Sequence, residues 1–337
     1  MAIKTVAQLC KMMDVKPREF HEVLKVPTYE TYSIAKKNGG VRNIEAPQGM
    51  LRVLQGSLCK YMQPFYTIHK LPCVHGFVKA IDVNHKYGVV TNATPHLGKP
   101  FVLNMDIKNF FDTISAKAVK QALMDVPFYV TDEVSTAIAL LCTYQKKLPT
   151  GAPTSPLLSN IVFYWVDKSL MQLVEEVNQF KAADEVAVTY TRYADDLTFS
   201  GSEKLVRGMI ERIINILHHN GFEVNVKKTR GQTVYGAQWV TGVKVNQKPN
   251  ISRLYIRKLR AILHNMQTNA VDDAVRKHFK LPAKQQVEVS DVQKMLNSVR
   301  AQIGWVGLVR GKTDEVYVKL RQQYLQAQRK MIVVDVV

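Results

Sequence analysis

The stretch from Val188 to Ser200, Val-Thr-Tyr-Thr-Arg-Tyr-Ala-Asp-Asp-Leu-Thr-Phe-Ser, limits the folds open to this chain more than any other. Tyr190, Thr191 and Tyr193 precede a corner, and Leu197, Thr198 and Phe199 follow it. These types suit a pleated, half-buried surface, so the spacing predicts two short strands meeting at a tight turn. The turn carries Asp195 and Asp196. Adjacent aspartates often do no more than solvate a hairpin tip. Apolar flanks on both sides would instead hold this pair rigidly at the end of a sheet. Two ionised carboxylates about 4 Å apart repel by roughly 4 kcal/mol at an effective dielectric near 20. A rigid site keeps such a pair by placing a cation between them or by raising a pKa. The cation reading demands another hard oxygen ligand elsewhere in the chain.

Phe101 to Ile107 supplies one, as a nearly continuous apolar strand with an acid, Asp106, at its end. Phe110, Phe111 and Asp112 follow on a turn, and Ser115 is placed to cap a helix through Met124. Thr131, followed by Asp132 and Glu133, should cap a second helix to about Tyr144. The segment 148–156 is a loop stiffened by prolines, with Thr150 and Gly151 at its centre. It reads as an ordinary lead-in to a helix, or as backbone that a substrate approaches closely. Ser155 and Pro156 are expected as N-cap and first residue of a long helix to about Val177. After the Asp-Asp turn come a helix over 204–219, a stop at Gly221, and a strand over 222–226 leading to Lys227 and Lys228. Strand, helix, strand-strand, helix, strand is an α+β order. It predicts a mainly antiparallel sheet with helices on one face. Asp106, Asp195 and Asp196 would then gather on the other.

Charge narrows the partners. The 337 residues carry a net +18, and the excess is uneven. From Lys227 onward there are 21 Lys and Arg against 7 Asp and Glu. A basic C-terminal third is the footprint expected for a nucleic-acid backbone. Within it Ser252 should cap a helix to about Met266, with Arg253, Arg257, Arg260 and His264 along one ridge. Further helices are expected over 291–303 and 314–330. The first 30 residues read as short capping helices, and 51–63 as a longer one. Between them, alternation around Asn38-Gly39-Gly40 predicts a hairpin with Lys36, Lys37 and Arg42 near its tip. That hairpin reads equally as a solvated loop or as a flap that grips phosphates. Asn92-Ala93-Thr94-Pro95-His96 is taken as too polar for core. The four scattered cysteines form no C-x-x-C pair, which suits a reducing cytoplasm. No apolar run approaches a membrane span and the N-terminus lacks a secretion signal.

Three carboxylates on one sheet, a basic flap before them and a basic helical region after them fit two-metal nucleotidyl transfer, with two Mg²⁺ ions as cofactor. At this level Asp106 and Asp195 bridge both ions, and Asp196 is a supporting charge.

Tyr193-Ala194-Asp195-Asp196 resembles the Y-A-D-D core of reverse transcriptases. It is joined by the Asp106 strand with Phe110-Phe111, the 148–156 loop, Asn225 with Lys228-Thr229, and Arg42 with Pro47. Asn92 to His96 resembles the N-A-x-x-H element, and Val240-Thr241-Gly242 the V-T-G element, of bacterial retron enzymes. The resemblance implies a right-hand polymerase: fingers over 1–100, palm over 101–245 with an insertion around 125–150, and a basic helical thumb over 246–337. It implies metal binding at Asp106, Ile107, Asp195 and Asp196, and a nucleotide site of Arg42, Phe111, Thr150, Gly151 and Lys228. Phe111 would exclude a ribose 2′-hydroxyl; the alternative is a core ring, a role that Phe110 fills better. Thr150 stands where many relatives carry Gln. RNA contacts would come from Asn92, His96, Val240, Thr241, Gly242, Arg253, Arg257 and Arg260. The partners implied are dNTPs, the enzyme's own structured noncoding RNA with its branched DNA copy, and an effector protein of an anti-phage system; no membrane is implied. The competing readings are an RNA-dependent RNA polymerase, a group II intron-like enzyme for which the chain ends early, and a nucleic-acid binder with a dead palm.

Overall fold

In the computed structural model, which describes residues 3–36, 39–80 and 86–333, the chain divides into two units, Met1–Thr241 and Gly242–Val337. The first opens with α1 (Val6–Met12) and α2 (Pro17–Lys25), then the hairpin β1 (Tyr29–Ala35) and β2 (Val41–Pro47). Lys37 and Asn38 at its tip lie outside the described residues. α3 (Gly49–His69), α4 (Val89–Ala93) and a 3-10 turn (Thr94–His96) lead to β3 (Phe101–Asp106). Next come α5 (Phe110–Thr113), α6 (Ala116–Met124), α7 (Asp132–Cys142), α8 (Ser155–Val162) and α9 (Tyr164–Gln179). The unit ends with β4 (Thr189–Tyr193), β5 (Asp196–Gly201), α10 (Glu203–Gly208), α11 (Ile210–His219), β6 (Arg230–Thr233) and β7 (Trp239–Val240).

β3 to β6 form one antiparallel sheet in the order β4-β5-β3-β6. The register gives the sheet two unlike faces, because side chains alternate along each strand. Leu103 pairs with Phe199, Met105 with Leu197, and Phe199 with Tyr190, so one face is apolar and joins the main core. The other face carries Asn104 opposite Thr198, with Asp106 opposite Asp196 at the strand ends. The α+β expectation therefore holds, with the acids on the polar face.

Local chemistry explains where elements begin. Ser115 Oγ accepts from the Ala118 amide at 3.1 Å and starts α6 as expected. Thr131 precedes α7, but its hydroxyl donates to the Lys4 carbonyl at 2.9 Å instead of capping. The expected Ser155 cap is corrected in the same way. Thr154 holds the cap position, and Ser155 Oγ donates to the Pro149 carbonyl at 2.7 Å, which closes the loop on itself.

Four elements also differ. α3 runs through Pro64 to His69 instead of stopping before it. Pro64 and Lys60 are both exposed, so water can satisfy the Lys60 carbonyl that loses its amide partner. The long helix expected after Ser155 is two helices that break at Phe163. That ring is fully buried, 4.9 Å from Phe222 and 5.7 Å from Phe110. Similarly, the helix over 204–219 breaks at the buried Met209. The strand over 222–226 is reduced to a single bridge between Val224 and Ile107, after which Val226–Lys228 coil into a 3-10 turn.

The second unit holds β8 (Val243–Lys244) and the helices α12 (Arg253–Thr268), α13 (Val271–Phe279), α14 (Val289–Arg310) and α15 (Glu315–Val333). Ser252 caps α12, its Oγ accepting from the Tyr255 amide at 3.1 Å. Leu259, Leu263 and Met266 of α12, Leu296 and Val299 of α14, and Leu320 and Ala327 of α15 are buried. α13 was not anticipated; Asp272 and Asp273 in its first turn and Arg276 and Lys277 in its last complement the helix dipole.

Candidate active site

β3 and β5 bring Asp106 opposite Asp196. Tyr193 also pairs with Asp196 across the turn, so Ala194 and Asp195 form its tip. Ala194 has φ +58°, an uncommon conformation for a residue with a Cβ. The Ile107 amide donates to the Asp195 carbonyl at 3.0 Å, which ties the tip to the end of β3. The three acids are thus gathered by backbone pairing, before any side chain interacts.

Their surroundings are uneven. Asp106 accepts from Lys228 Nζ at 2.8 and 3.0 Å and from Asn225 Nδ2 at 3.2 Å. The Asn225 amide donates to the Asp106 carbonyl at 2.7 Å, so side chain and main chain brace the same strand end. Among the described residues neither Asp195 nor Asp196 makes an ion pair. Burial, reinforced by the Asp106 charge and opposed by Lys228 and Arg42, raises Asp195 above the usual carboxylate range. Asp196 is pushed up to about 6, first by burial and then by the charges of Asp195 and Asp106.

Among the described residues no three His, Cys, Asp or Glu side chains already close into a metal cage. Mg²⁺ does not require one, since it keeps water and substrate oxygens and takes only one or two protein carboxylates. Asp195 is half-buried and Asp196 exposed; neither makes an ion pair among the described residues, and both are destabilised by neighbouring carboxylate charge that a hard cation would relieve. The residues therefore fit divalent metal. At Ile107 only the main-chain carbonyl could contribute, because the side chain is apolar and buried.

Of the residues expected around a nucleotide, Lys228 bonds Asp106, and Thr150 and Gly151 meet the hairpin that carries Arg42. Arg42 on β2 is exposed, and its charge reaches Asp195. The Glu45 amide donates to the Thr150 carbonyl at 2.7 Å, docking the 148–156 loop on the hairpin. Gly151 has φ +129°, and a Cβ there would lie 2.8 Å from Ile44 Cγ2. Only glycine permits that approach. Phe111 is half-buried on α5, its ring stacked on Phe77 at 6.1 Å, whereas Phe110 is core. Lys147 bonds Asp112 and lies 3.7 Å from Glu45, linking α5 to the hairpin.

Residues 34–248, well over half of the chain, match the family described as reverse transcriptase (RNA-dependent DNA polymerase). The chain belongs to the reverse transcriptase family. Its relatives place it among the bacterial retron-type members. It is 34% identical to the Mx65 retron reverse transcriptase of Myxococcus xanthus, over 78% of this chain and 61% of that protein. Against the Ec86 retron reverse transcriptase of Escherichia coli, identity is 30% over 71% of this chain and 70% of that one. The Ec73 retron reverse transcriptase of Escherichia coli is 28% identical, with 90% of each chain covered. Among solved structures, a telomerase from Candida albicans gives a TM-score of 0.47 at 12% identity, over 92% of this chain and 65% of that one.

In this reverse transcriptase the two retron-like elements meet. Thr241 Oγ1 donates to the Val89 carbonyl at 3.0 Å, and Asn92 Nδ2 reaches Thr241 Oγ1 at 3.5 Å. The expectation that Asn92 to His96 is too polar for core is corrected, since Asn92 and His96 are both 0% exposed. His96 is bonded at both ring nitrogens, to Ser200 Oγ at 2.6 Å and Thr191 Oγ1 at 2.7 Å. Asn92, His96 and Val240 are all fully buried. Thr241 is half-buried and Gly242 exposed.

On α12, Arg253, Arg257 and Arg260 are exposed and line a cavity of about 390 Å³ with Asn250, Ile251 and Arg310. Arg310 is held by Asp314 at 2.9 and 3.0 Å, while the three on the ridge make no ion pair among the described residues. Sequence reasoning passed over Arg192 and Asp167, which form a fully buried ion pair behind the Asp-Asp turn. The available signal was an arginine at an inward position of an alternating strand.

Proposed function

We propose that this chain is an RNA-directed DNA polymerase that copies part of its own structured noncoding RNA into branched, multicopy single-stranded DNA. The observation that carries the reading is the strand register that sets Asp106 opposite Asp196, with Asp195 on the connecting turn. The family and its retron relatives support the choice of reaction. The chain spans 61% of the Myxococcus Mx65 relative's length, so activity, substrates and partners are assigned here as a proposal.

In this reading Asp106, Asp195 and the Ile107 carbonyl would hold two Mg²⁺ ions. Bound there, the ions would lower the pKa of an attacking hydroxyl and steady the leaving pyrophosphate. Asp196 contributes negative charge next to the site. Lys228 and Asn225 keep the Asp106 carboxylate aimed along the strand end, and Lys228 completes the nucleotide side. Arg42 faces the triphosphate, with Lys36 or Lys37 assisting from the same hairpin. Phe111 occupies the space that a ribose 2′-hydroxyl would need. Thr150 and Gly151 offer backbone to the incoming nucleotide, with a side chain shorter than glutamine at the first position. Fingers, palm and thumb correspond to 1–100, 101–245 and 246–337. The exposed Arg253, Arg257 and Arg260 follow the backbone of the template duplex. Thr241 and Gly242 remain available to the partner RNA, with Asn92, His96 and Val240 supporting them from inside.

No helix among the described residues is long and apolar enough to cross a membrane. All four cysteines are free, which supports a cytoplasmic setting. As the biological role, this reading carries anti-phage defence together with an effector protein.

Primer extension with Mg²⁺, run with dNTPs and NTPs in parallel, tests the reaction. DNA synthesis that disappears in Asp195→Asn and Asp196→Asn, with RNA binding retained, is expected. Preferential NTP incorporation would assign an RNA polymerase instead, and extension by either variant would remove the carboxylates from the mechanism. Sequencing nucleic acid that copurifies with the protein would identify the RNA and its branched copy.

A further inference from the structure

Arg192 occupies a position on β4 where alternation calls for an apolar residue, since it pairs with Leu197 of the core face. Its side chain is fully buried. One edge of the guanidinium is committed to Asp167. Nε donates to the two carboxylate oxygens at 2.9 and 3.1 Å, and Nη2 donates to Oδ2 at 2.6 Å. The other edge points at the turn. Nη1 donates to the Ala194 carbonyl at 3.0 Å and to Asn160 Oδ1 at 2.9 Å. Asn160 Nδ2 donates in turn to the Gly76 carbonyl at 3.0 Å. Gly76 presses against the preceding peptide, where a Cβ would stand 2.4 Å from the Ala194 amide nitrogen. The Phe163 ring lies 4.6 Å from the guanidinium carbon, and Tyr190 donates to Asp167 Oδ1 at 2.7 Å.

We propose that Arg192 is a positioning residue for polymerisation. It holds the Ala194 carbonyl, and through that peptide the aim of Asp195 and Asp196, while Asp167 and Asn160 hold the guanidinium. The proposal rests on the reading of those carboxylates as the reacting site.

Two physical points favour this over a plain structural ion pair. A buried pair is seldom more stabilising than apolar residues of similar volume, so stability alone gives little reason for one here. An arginine can grip a carboxylate along one edge and still offer donors from the other, which a lysine cannot. Ala194 uses that second edge. Its left-handed φ of +58° persists only if the surroundings over-determine it. The turn is gripped at three points: Arg192 on the Ala194 carbonyl, Gly76 against the Ala194 amide, and Ile107 on the Asp195 carbonyl.

The test uses the full chain with Arg192→Met combined with Asp167→Leu, which removes both charges at similar volume. Arg192→Lys is made in parallel, since it keeps the charge pairing without the second edge. Thermal midpoint, RNA binding, steady-state primer extension and amide hydrogen exchange over the turn are measured for each. In folded variants kcat should fall by about 100-fold while the dNTP KM stays within about threefold, the pattern of a misaimed reacting group. Exchange at the turn amides should quicken while that of the neighbouring strand amides is unchanged. If the double variant does not fold, Arg192→Lys decides by the same readings. Wild-type kcat and unchanged turn exchange in either folded variant would overturn the proposal. Wild type and Asp195→Asn are run alongside. Absence of extension by wild type would defeat the functional reading itself. Active wild type, inactive Asp195→Asn and an active double variant would defeat the positioning role alone.

Discussion

Phe111 packs against the core beside Phe110, stacks on Phe77, and stays half-buried. Truncation there opens space. Phe111→Ala should therefore raise ribonucleotide incorporation relative to deoxyribonucleotide, and competition between dNTP and NTP on one primer measures it. Unchanged discrimination would make Phe111 a packing residue. Gly76 is the opposite case, with no room to give. A Cβ there would meet the Ala194 amide nitrogen at 2.4 Å and the Tyr193 carbonyl carbon at 2.9 Å, both backbone atoms. Gly76→Ala should destabilise by about 1–3 kcal/mol, as forced overpacking does. It should lower kcat further than that loss of folded protein explains. Thermal melts and turnover on the same preparation separate the two effects. The carboxylates were legible as residues because a pair of acids between apolar strands has few physical solutions. Arg192 was not, although it lies in the same stretch. Its charge suggested exposure, and only the partner Asp167, 25 residues earlier, makes burial affordable.

At the scale of elements, α12 has two faces with different tasks. Leu259, Leu263 and Met266 are buried, while Arg253, Arg257 and Arg260 face solvent without acidic partners among the described residues. Replacing each arginine by alanine should reduce the salt slope of RNA binding by about one, since each phosphate contact releases about one counterion. Cognate and unrelated duplexes should weaken alike. Selective loss of the cognate RNA with an unchanged slope would mean that the ridge and its cavity read a particular structure. Elements were legible where local chemistry decides them. The Ser115 and Ser252 caps and the alternation around the Asp-Asp turn all appear as expected. They were not legible where a distant contact intervenes. The aromatic cluster of Phe110, Phe163 and Phe222 meets at the break between α8 and α9. Asn92 and His96 were misread as exposed for a related reason. Polar residues go inside when their partners, here Thr241, Ser200 and Thr191, arrive from elsewhere in the sequence.

For the molecule as a whole, His96 links global stability to pH. Burial, helped by the Lys99 charge, lowers its pKa to about 3 from the ordinary 6.5, so the folded state keeps it neutral. An unfolded chain would take up the proton near 6.5. Stability from this site is thus complete above about 6.5 and declines steadily as pH falls towards 3. A His96→Gln variant loses the buried imidazole and with it this dependence. The stability advantage of wild type over the variant should accordingly be largest at neutral pH and narrow on acidification. Denaturant melts at a series of pH values measure it, and a gap that widens towards acid would reverse the assignment.

The strand order β4-β5-β3-β6 has a consequence for synthesis on the ribosome. β3 is made first but lies inside the sheet, and its partners are distant: Asn104 meets Thr198 at a separation of 94 residues and Gln232 at 128. At a translation rate of about 5–20 residues per second, one edge of this apolar strand stays unpaired for roughly 5–19 s and the other for roughly 6–26 s. During that interval the nascent chain offers an open template for pairing with any other extended segment. Asp106 at its tip likewise has no carboxylate beside it until Asp195 and Asp196 emerge. The carboxylate cluster and the cover for the edges of β3 therefore both arrive late in synthesis.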